Sequence, residues 1–172
     1  MSYYFIILSP TDSPLFSQAF GTSKGGGDGV PRFRFPDGSR FMNQFIVHAS
    51  LDIVEEVQWT NGAMYLKHID TYPPASAYVS AFLTGSGVRF LLLHQPLQPS
   101  PSTALAGTSR ASSSSIANNP TSPQTEEAIR QFMSEVYENW VKTVMSPFYQ
   151  RGKDITSPVF RSRVLAAGKK WL

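Results

Sequence analysis

The chain has 172 residues, of which 41% are hydrophobic and 13% aromatic, enough for one domain with a substantial core. Charged residues are only 16%, against roughly 25% in an average globular chain, which points to a long uncharged segment or to surface covered by a partner. The lack of cysteine excludes disulfides, thiol catalysis and thiolate zinc sites; the net charge of +3 is mild. No apolar run reaches the roughly 18 residues that span a bilayer.

The opening, Met1 to Leu8, has no basic segment of the kind that begins a signal peptide, and Ser2 stands where myristoylation needs glycine. No prenylation box closes the sequence. A soluble, cytosolic protein is expected.

Tyr3–Leu8 is apolar and β-favouring, and Leu15–Phe20 follows after Pro10, Asp12, Ser13 and Pro14. Two such runs so close together predict an antiparallel hairpin. Residues 21–38 hold six glycines and two prolines and predict a flexible glycine-rich loop.

From about Arg40 to Trp59 the period becomes helical. Gln44, His48, Asp52, Glu55 and Glu56 form a polar stripe at spacings of three and four. Phe41, Met42, Phe45, Ile46, Val47, Ala49, Leu51, Ile53, Val54 and Val57 fill the rest of the circumference. That arc is wider than the roughly 100° stripe of an ordinary surface helix, so some of it is expected to be left over for a partner. The alternative is a helix buried between a sheet and the chain's own loops, which composition alone does not exclude.

Met64–Ile69, Ala77–Leu83 and Val88–His94 read as three further strands, with turn signals at Asn61-Gly62 and Gly85-Ser86-Gly87. Val88–His94 is apolar almost throughout, interrupted by Arg89, as suits a strand covered on both faces. Residues 96–123 hold eight serines, five prolines and three threonines with Arg110 as the sole charge, and predict a Ser/Pro-rich disordered insertion. Phosphorylation there is conceivable, but such loops are more often merely tolerated.

Ser122-Pro123 and Ser157-Pro158 each offer an N-cap followed by proline at the first helical position. After the first, Ile129, Phe132, Met133, Val136, Tyr137, Trp140, Val141 and Val144 make a strong apolar stripe. Glu126 with Arg130, and Glu138 with Lys142, are expected to pair across its outer face. After the second, Phe160, Val164, Ala167 and Trp171 make a narrower stripe. The expected class is α+β: a five-stranded antiparallel sheet with one helix on one face and two C-terminal helices on the other, in a single domain over 1–172.

No catalytic motif survives inspection. Gly25-Gly26-Gly27-Asp28-Gly29 is preceded by Lys24 and followed by Val30-Pro31, so it lacks the Lys-Ser/Thr that completes a phosphate loop. His48 and Asp52 stand four apart but have no third metal ligand in view. Thr84-Gly85-Ser86-Gly87 reads as a turn, not a nucleophile elbow. His94 ends an apolar strand, where a hydrogen-bonded structural histidine is usual. Glu55 and Glu56 diverge by about 100° on a helix and make no acid/base pair. No enzyme, cofactor or metal is therefore expected.

The last 22 residues are basic: Arg151, Lys153, Arg161, Arg163, Lys169 and Lys170 against Asp154. Beside Phe160 and Trp171 they suit, at most, peripheral contact with an anionic membrane; no nucleic-acid motif accompanies them.

Several strings, in order, resemble the sedlin family. They are Asn43 to Asp52 (NQFIVHASLD), Met64 to Lys67 (MYLK), Val79 to Phe82 (VSAF), Arg89 to His94 (RFLLLH), Pro147-Phe148-Tyr149 and Gly168-Lys169-Lys170. The resemblance runs nearly end to end, interrupted at 21–38 and 96–123. It implies a longin-like (profilin-like, SNARE-like) fold and a subunit of the TRAPP vesicle-tethering complex. It further implies a non-catalytic adaptor that links TRAPP core subunits to larger complex-specific subunits. Through them it would support a Rab-type GTPase in ER-to-Golgi transport, peripherally at ER and Golgi membranes. Gln44, His48, Leu51, Asp52, Glu55 and Glu56 are the candidate interface, with Asp52 at the family's Leu-Asp position. The alternative is a longin-domain trafficking adaptor or SNARE-associated protein outside TRAPP; a longin SNARE would need a heptad segment and an anchor, and neither follows before Leu172.

Overall fold

Six consecutive apolar, β-favouring residues, Tyr3 to Leu8, need a place in which neither face of a strand meets water. The computed structural model, which describes residues 1–22, 28–35, 41–96 and 121–172, provides one. Strand β1 (Ser2–Leu8) is buried at every position, and so is β5 (Arg89–Gln95). The two pair antiparallel at the middle of a five-stranded sheet of order β2-β1-β5-β4-β3. Strand β2 (Pro14–Gly21) closes the expected hairpin on β1. Strands β3 (Tyr65–Tyr72) and β4 (Ala77–Leu83) complete the other side.

Strand β3 runs to Tyr72, three residues past the expected Ile69. It carries two register shifts against β4, and Lys67 takes a positive φ of 63° at the first of them. Such irregularity is common in an edge strand, and pairing resumes beyond each bulge.

Two helical segments cover one face: α1 (Phe41–Ala49) and α2 (Leu51–Thr60). A single uninterrupted helix was the expectation. The break falls at Ser50, which is fully buried and donates its Oγ hydrogen to the Val47 carbonyl at 2.8 Å. A serine that bonds back to its own helix competes with the backbone ladder and loosens it locally, though the Ser50 N–H still reaches the Ile46 carbonyl at 3.2 Å. Ile46, Val47, Leu51 and Val54 pack against Tyr4, Ile6, Leu8, Val79, Leu91 and Leu93.

The opposite face carries α3 (Pro123–Val144) and α4 (Pro158–Trp171). Both caps form as read: Ser122 Oγ accepts from Thr125 N–H and Ser157 Oγ from Phe160 N–H. Ile129, Phe132, Met133, Val136 and Trp140 of α3, with Phe160, Val164 and Ala167 of α4, bury against Tyr3, Phe5, Phe16, Phe90 and Leu92. Phe5 meets Phe132 edge-on at 5.2 Å, and Phe16 meets Phe160 likewise at 5.0 Å. One helix layer on one face and two helices on the other is the architecture expected.

The ion pairs foreseen along α3 do not form. Glu126 pairs with Lys67 of β3 at 3.7 Å, and Arg130 with Glu127 at 3.5 Å. Glu138 and Lys142 join no ion pair among the described residues. Exposed pairs of this kind contribute little, so Glu126 is free to turn to Lys67 and Arg130 to Glu127.

Of the glycine-rich stretch, Gly21 is the last residue of β2, and 28–35 lie across the end of the sheet. Arg32 N–H donates to Ser2 Oγ at 2.6 Å, Arg34 N–H donates to Gln95 Oε1 at 2.7 Å, and Phe33 and Phe35 pack on the α1–α2 side. The Ser/Pro-rich insertion lies, over 97–120, outside the described residues.

Gly168 shows how closely α4 sits on the sheet. A Cβ there would stand 2.7 Å from the ring of buried Phe20. Gly168→Val is expected to lower unfolding free energy by about 1–3 kcal/mol through overpacking, despite the loss of a helix-weakening glycine. Urea unfolding measures it.

Candidate functional site

The α1–α2 layer turns only part of its circumference to the sheet. Ile46, Val47, Leu51 and Val54 point inward, together with Asn43, a polar residue buried among them. What remains outside is not a purely polar stripe. Phe41 is 62% exposed, Phe45 58% and Trp59 85%. They share the outer surface with Gln44, His48, Asp52, Glu55 and Glu56, all exposed. The spacings 41, 45, 48, 52, 56 and 59 place these side chains along one face. Large aromatic side chains left mostly exposed among charged ones are a composition that binding surfaces favour.

Leu51 does not belong to that surface. It is buried in the core against the sheet, because it stands four residues after Val47 and three before Val54 and so shares their inward side. Conversely, Phe41, Phe45 and Trp59 belong to the site and were absent from the sequence-derived residue set. The over-wide apolar arc was the signal for Phe41 and Phe45; which members of the arc would face out depended on where the sheet lay.

One end of the face is tethered. Arg89, the charge that interrupts β5, is almost buried and bridges Asp12 in the β1–β2 turn and Glu55 of α2, the latter at 3.2 Å. Asp12 sits in the left-handed region at φ 59°, which aspartate tolerates, and the turn is closed by its N–H to the Ser9 carbonyl at 3.0 Å. Arg89 thus joins the sheet, a turn and the helix layer. Arg89→Ala is expected to cost about 1–2 kcal/mol, the low end for charge-assisted hydrogen bonds because both carboxylates remain partly solvated. Chemical denaturation of the two proteins compares them.

The residues considered for chemistry are scattered. His48 is exposed on α1, His68 lies on edge strand β3 and His94 is buried on β5. No three His, Asp or Glu side chains among the described residues are grouped to hold a metal. Ser86 lies in the Thr84–Gly87 turn, where Gly87 N–H meets the Thr84 carbonyl at 3.0 Å and Gly87 takes φ 79°. That is the hairpin turn expected.

His94 departs from expectation. Both its ring nitrogens lack a hydrogen-bond partner among the described residues. The ring is held instead between aromatic neighbours, stacked on Tyr78 at 5.4 Å and tilted against Tyr3 at 5.7 Å. Burial pushes its pKa down to about 3, aided by the nearby His68 and the chain's amino terminus. The ring is neutral in the folded state and protonates near 6.5 when unfolded. Its contribution is therefore complete above pH 6.5 and drains away as pH falls toward 3. Between pH 7 and pH 5 the expected loss is about 2 kcal/mol. His68, also shifted down by burial, adds in the same sense. Urea unfolding at the two pH values should show this slope, and His94→Phe should remove most of it.

Fold and surface together define a class: a longin-like α+β domain that presents an aromatic and acidic helix face and no assembled catalytic group among the described residues. The comparisons specify it further. The chain belongs to the sedlin family, whose sequence profile matches residues 7–170. It is 34% identical to the Probable trafficking protein particle complex subunit 2 of Caenorhabditis elegans, over 99% of this chain and 96% of the relative. It is 37% identical to the Transport protein particle 20 kDa subunit of Schizosaccharomyces pombe, over 76% and 75%. The Saccharomyces cerevisiae Trafficking protein particle complex subunit 20 is 30% identical over 100% and 99%.

Proposed function

We propose that this chain is a non-catalytic adaptor subunit of the TRAPP vesicle-tethering complex. In this reading it joins TRAPP core subunits to the larger subunits that distinguish forms of the complex. By completing the assembly it supports activation of a Rab-type GTPase in ER-to-Golgi transport, working at the cytoplasmic side of ER and Golgi membranes. Relatives named as subunits of the trafficking protein particle complex, aligned over nearly the whole chain, support the assignment to that assembly.

The observation that carries the adaptor role is the outer face of α1–α2. Phe41, Phe45 and Trp59 are exposed beside Asp52 and Glu56, on a helix layer whose inner face is already fully used by the sheet. Aromatic anchors ringed by charge are where binding free energy concentrates in protein interfaces. Asp52 supplies the specificity: an exposed carboxylate in reach of a partner's cation makes a charge-assisted contact that an uncharged or bulky residue forfeits.

The test uses tagged full-length chain isolated from its own cell. The parent chain is expected to bring TRAPP subunits with it. Phe45→Ser and Asp52→Tyr should each lower recovery of at least one subunit about tenfold or more while thermal melting stays within a few degrees of the parent, as expected for interface and not core positions. Both variants folding normally and retaining every subunit would reject the interface. A parent chain recovered alone as a monomer would reject the adaptor reading itself.

A further inference from the structure

The α3–α4 connection, residues 145–157, is the second place where large apolar side chains stand in water. Phe148 is 92% exposed and Met145 78%, and Val159 on the first turn of α4 is exposed beside the cleft that Phe148 lines. Lys142, Lys153 and Arg163 line that cleft with Phe148 and Val159. Between Lys142 and Arg163 the chain carries five cations and one acid, Asp154. Lys142, Arg151 and Lys153 are exposed and enter no ion pair among the described residues. This is not the aromatic-basic pairing first read from the tail. Phe160 is buried in the core, Trp171 Nε1 donates to Glu135 at 2.7 Å, and Lys170 is taken up by the same carboxylate at 3.1 Å. Lys142 and Lys153 line the same cleft as Phe148, with Asp154 as its one acid, and Arg151 stands on the same connection.

From this juxtaposition we infer that the Met145–Lys153 connection is a membrane-contact site for an anionic lipid surface, with Phe148 and Met145 entering the headgroup boundary and Lys142, Arg151 and Lys153 facing the anionic headgroups. Charge complementarity selects the occupant. Unpaired cations on long exposed stems answer a diffuse negative field better than a fixed carboxylate, and exposed apolar tips between them suit an interface that is apolar beneath and charged above. The site also lies on the α3–α4 side of the sheet, across from α1–α2, so a membrane there leaves the proposed partner face open.

The contact is weak by itself, since a few apolar side chains and three cations give only reversible binding. Its measurement is co-sedimentation of the purified full chain with phosphatidylcholine vesicles, with and without phosphatidylserine at about one lipid in three. Binding is expected only with phosphatidylserine and should fade at high salt as the charges are screened. Lys142→Gln with Lys153→Gln should lower the partition coefficient about twentyfold, each cation near such a surface being worth about fivefold. Phe148→Ser should lower it about tenfold, the effect of withdrawing one large apolar side chain, with no change in melting temperature because Phe148 touches no core. Absence of binding to the anionic vesicles overturns the proposal. So does binding that survives both sets of substitutions. Loss of a co-purifying subunit from Phe148→Ser without any vesicle binding assigns the patch to a protein partner, and likewise overturns it. None of these outcomes bears on whether α1–α2 docks other subunits.

Discussion

The pairing of β1 with β5 is the constraint on which the rest of the molecule depends. The first strand of the chain and the last strand before the helices lie side by side at the centre of the sheet, and both are buried on both faces. A sheet with such a centre must be covered twice. One cover is supplied by α3 and α4, whose aromatic contacts with Phe5, Phe16 and Phe90 make a thick core. The other is supplied by the single helix layer α1–α2. Ile46, Val47, Leu51 and Val54 satisfy it with the inner side of α1–α2 alone. The outer side is left free to meet something else, and its aromatic content is out of proportion to what a solvated helix needs.

Most of the fold was legible from local pattern. Ala77–Leu83 is a strand with the boundaries read from the sequence, and the caps at Ser122 and Ser157 start their helices where proline follows. These features are set by neighbours in the chain. What escaped was set by distant residues. Nothing local marks Ser50 as an interruption, because its Oγ bonds back to the Val47 carbonyl only once the residue is buried against the sheet. Arg89 read as an interruption in a strand, yet it is the joint between a turn 77 residues away and α2. Glu126 and Arg130 had the right spacing to pair, and Lys67 on β3 changed the outcome.

The candidate site was legible in the same partial way. Its helix was found, and five of its six named residues do face outward. Leu51 does not, since which members of an over-wide arc turn inward depends on where the sheet lies. The aromatic members, Phe41, Phe45 and Trp59, came to light only once the inner face was known. His94 makes the converse point. Its place in an apolar strand agreed with burial, but among the described residues the expected hydrogen bonds are replaced by stacking on Tyr78 and a tilted contact with Tyr3.

In the proposed role, the outer face of α1–α2 is covered when the protein is in its assembly. Hydroxyl-radical footprinting of the free chain and of the chain within the purified complex tests this without altering a residue. Phe41, Phe45 and Trp59 should oxidise readily in the free chain and be protected in the complex. Equal oxidation of these three side chains in both states, with protection elsewhere on the surface, would contradict the account.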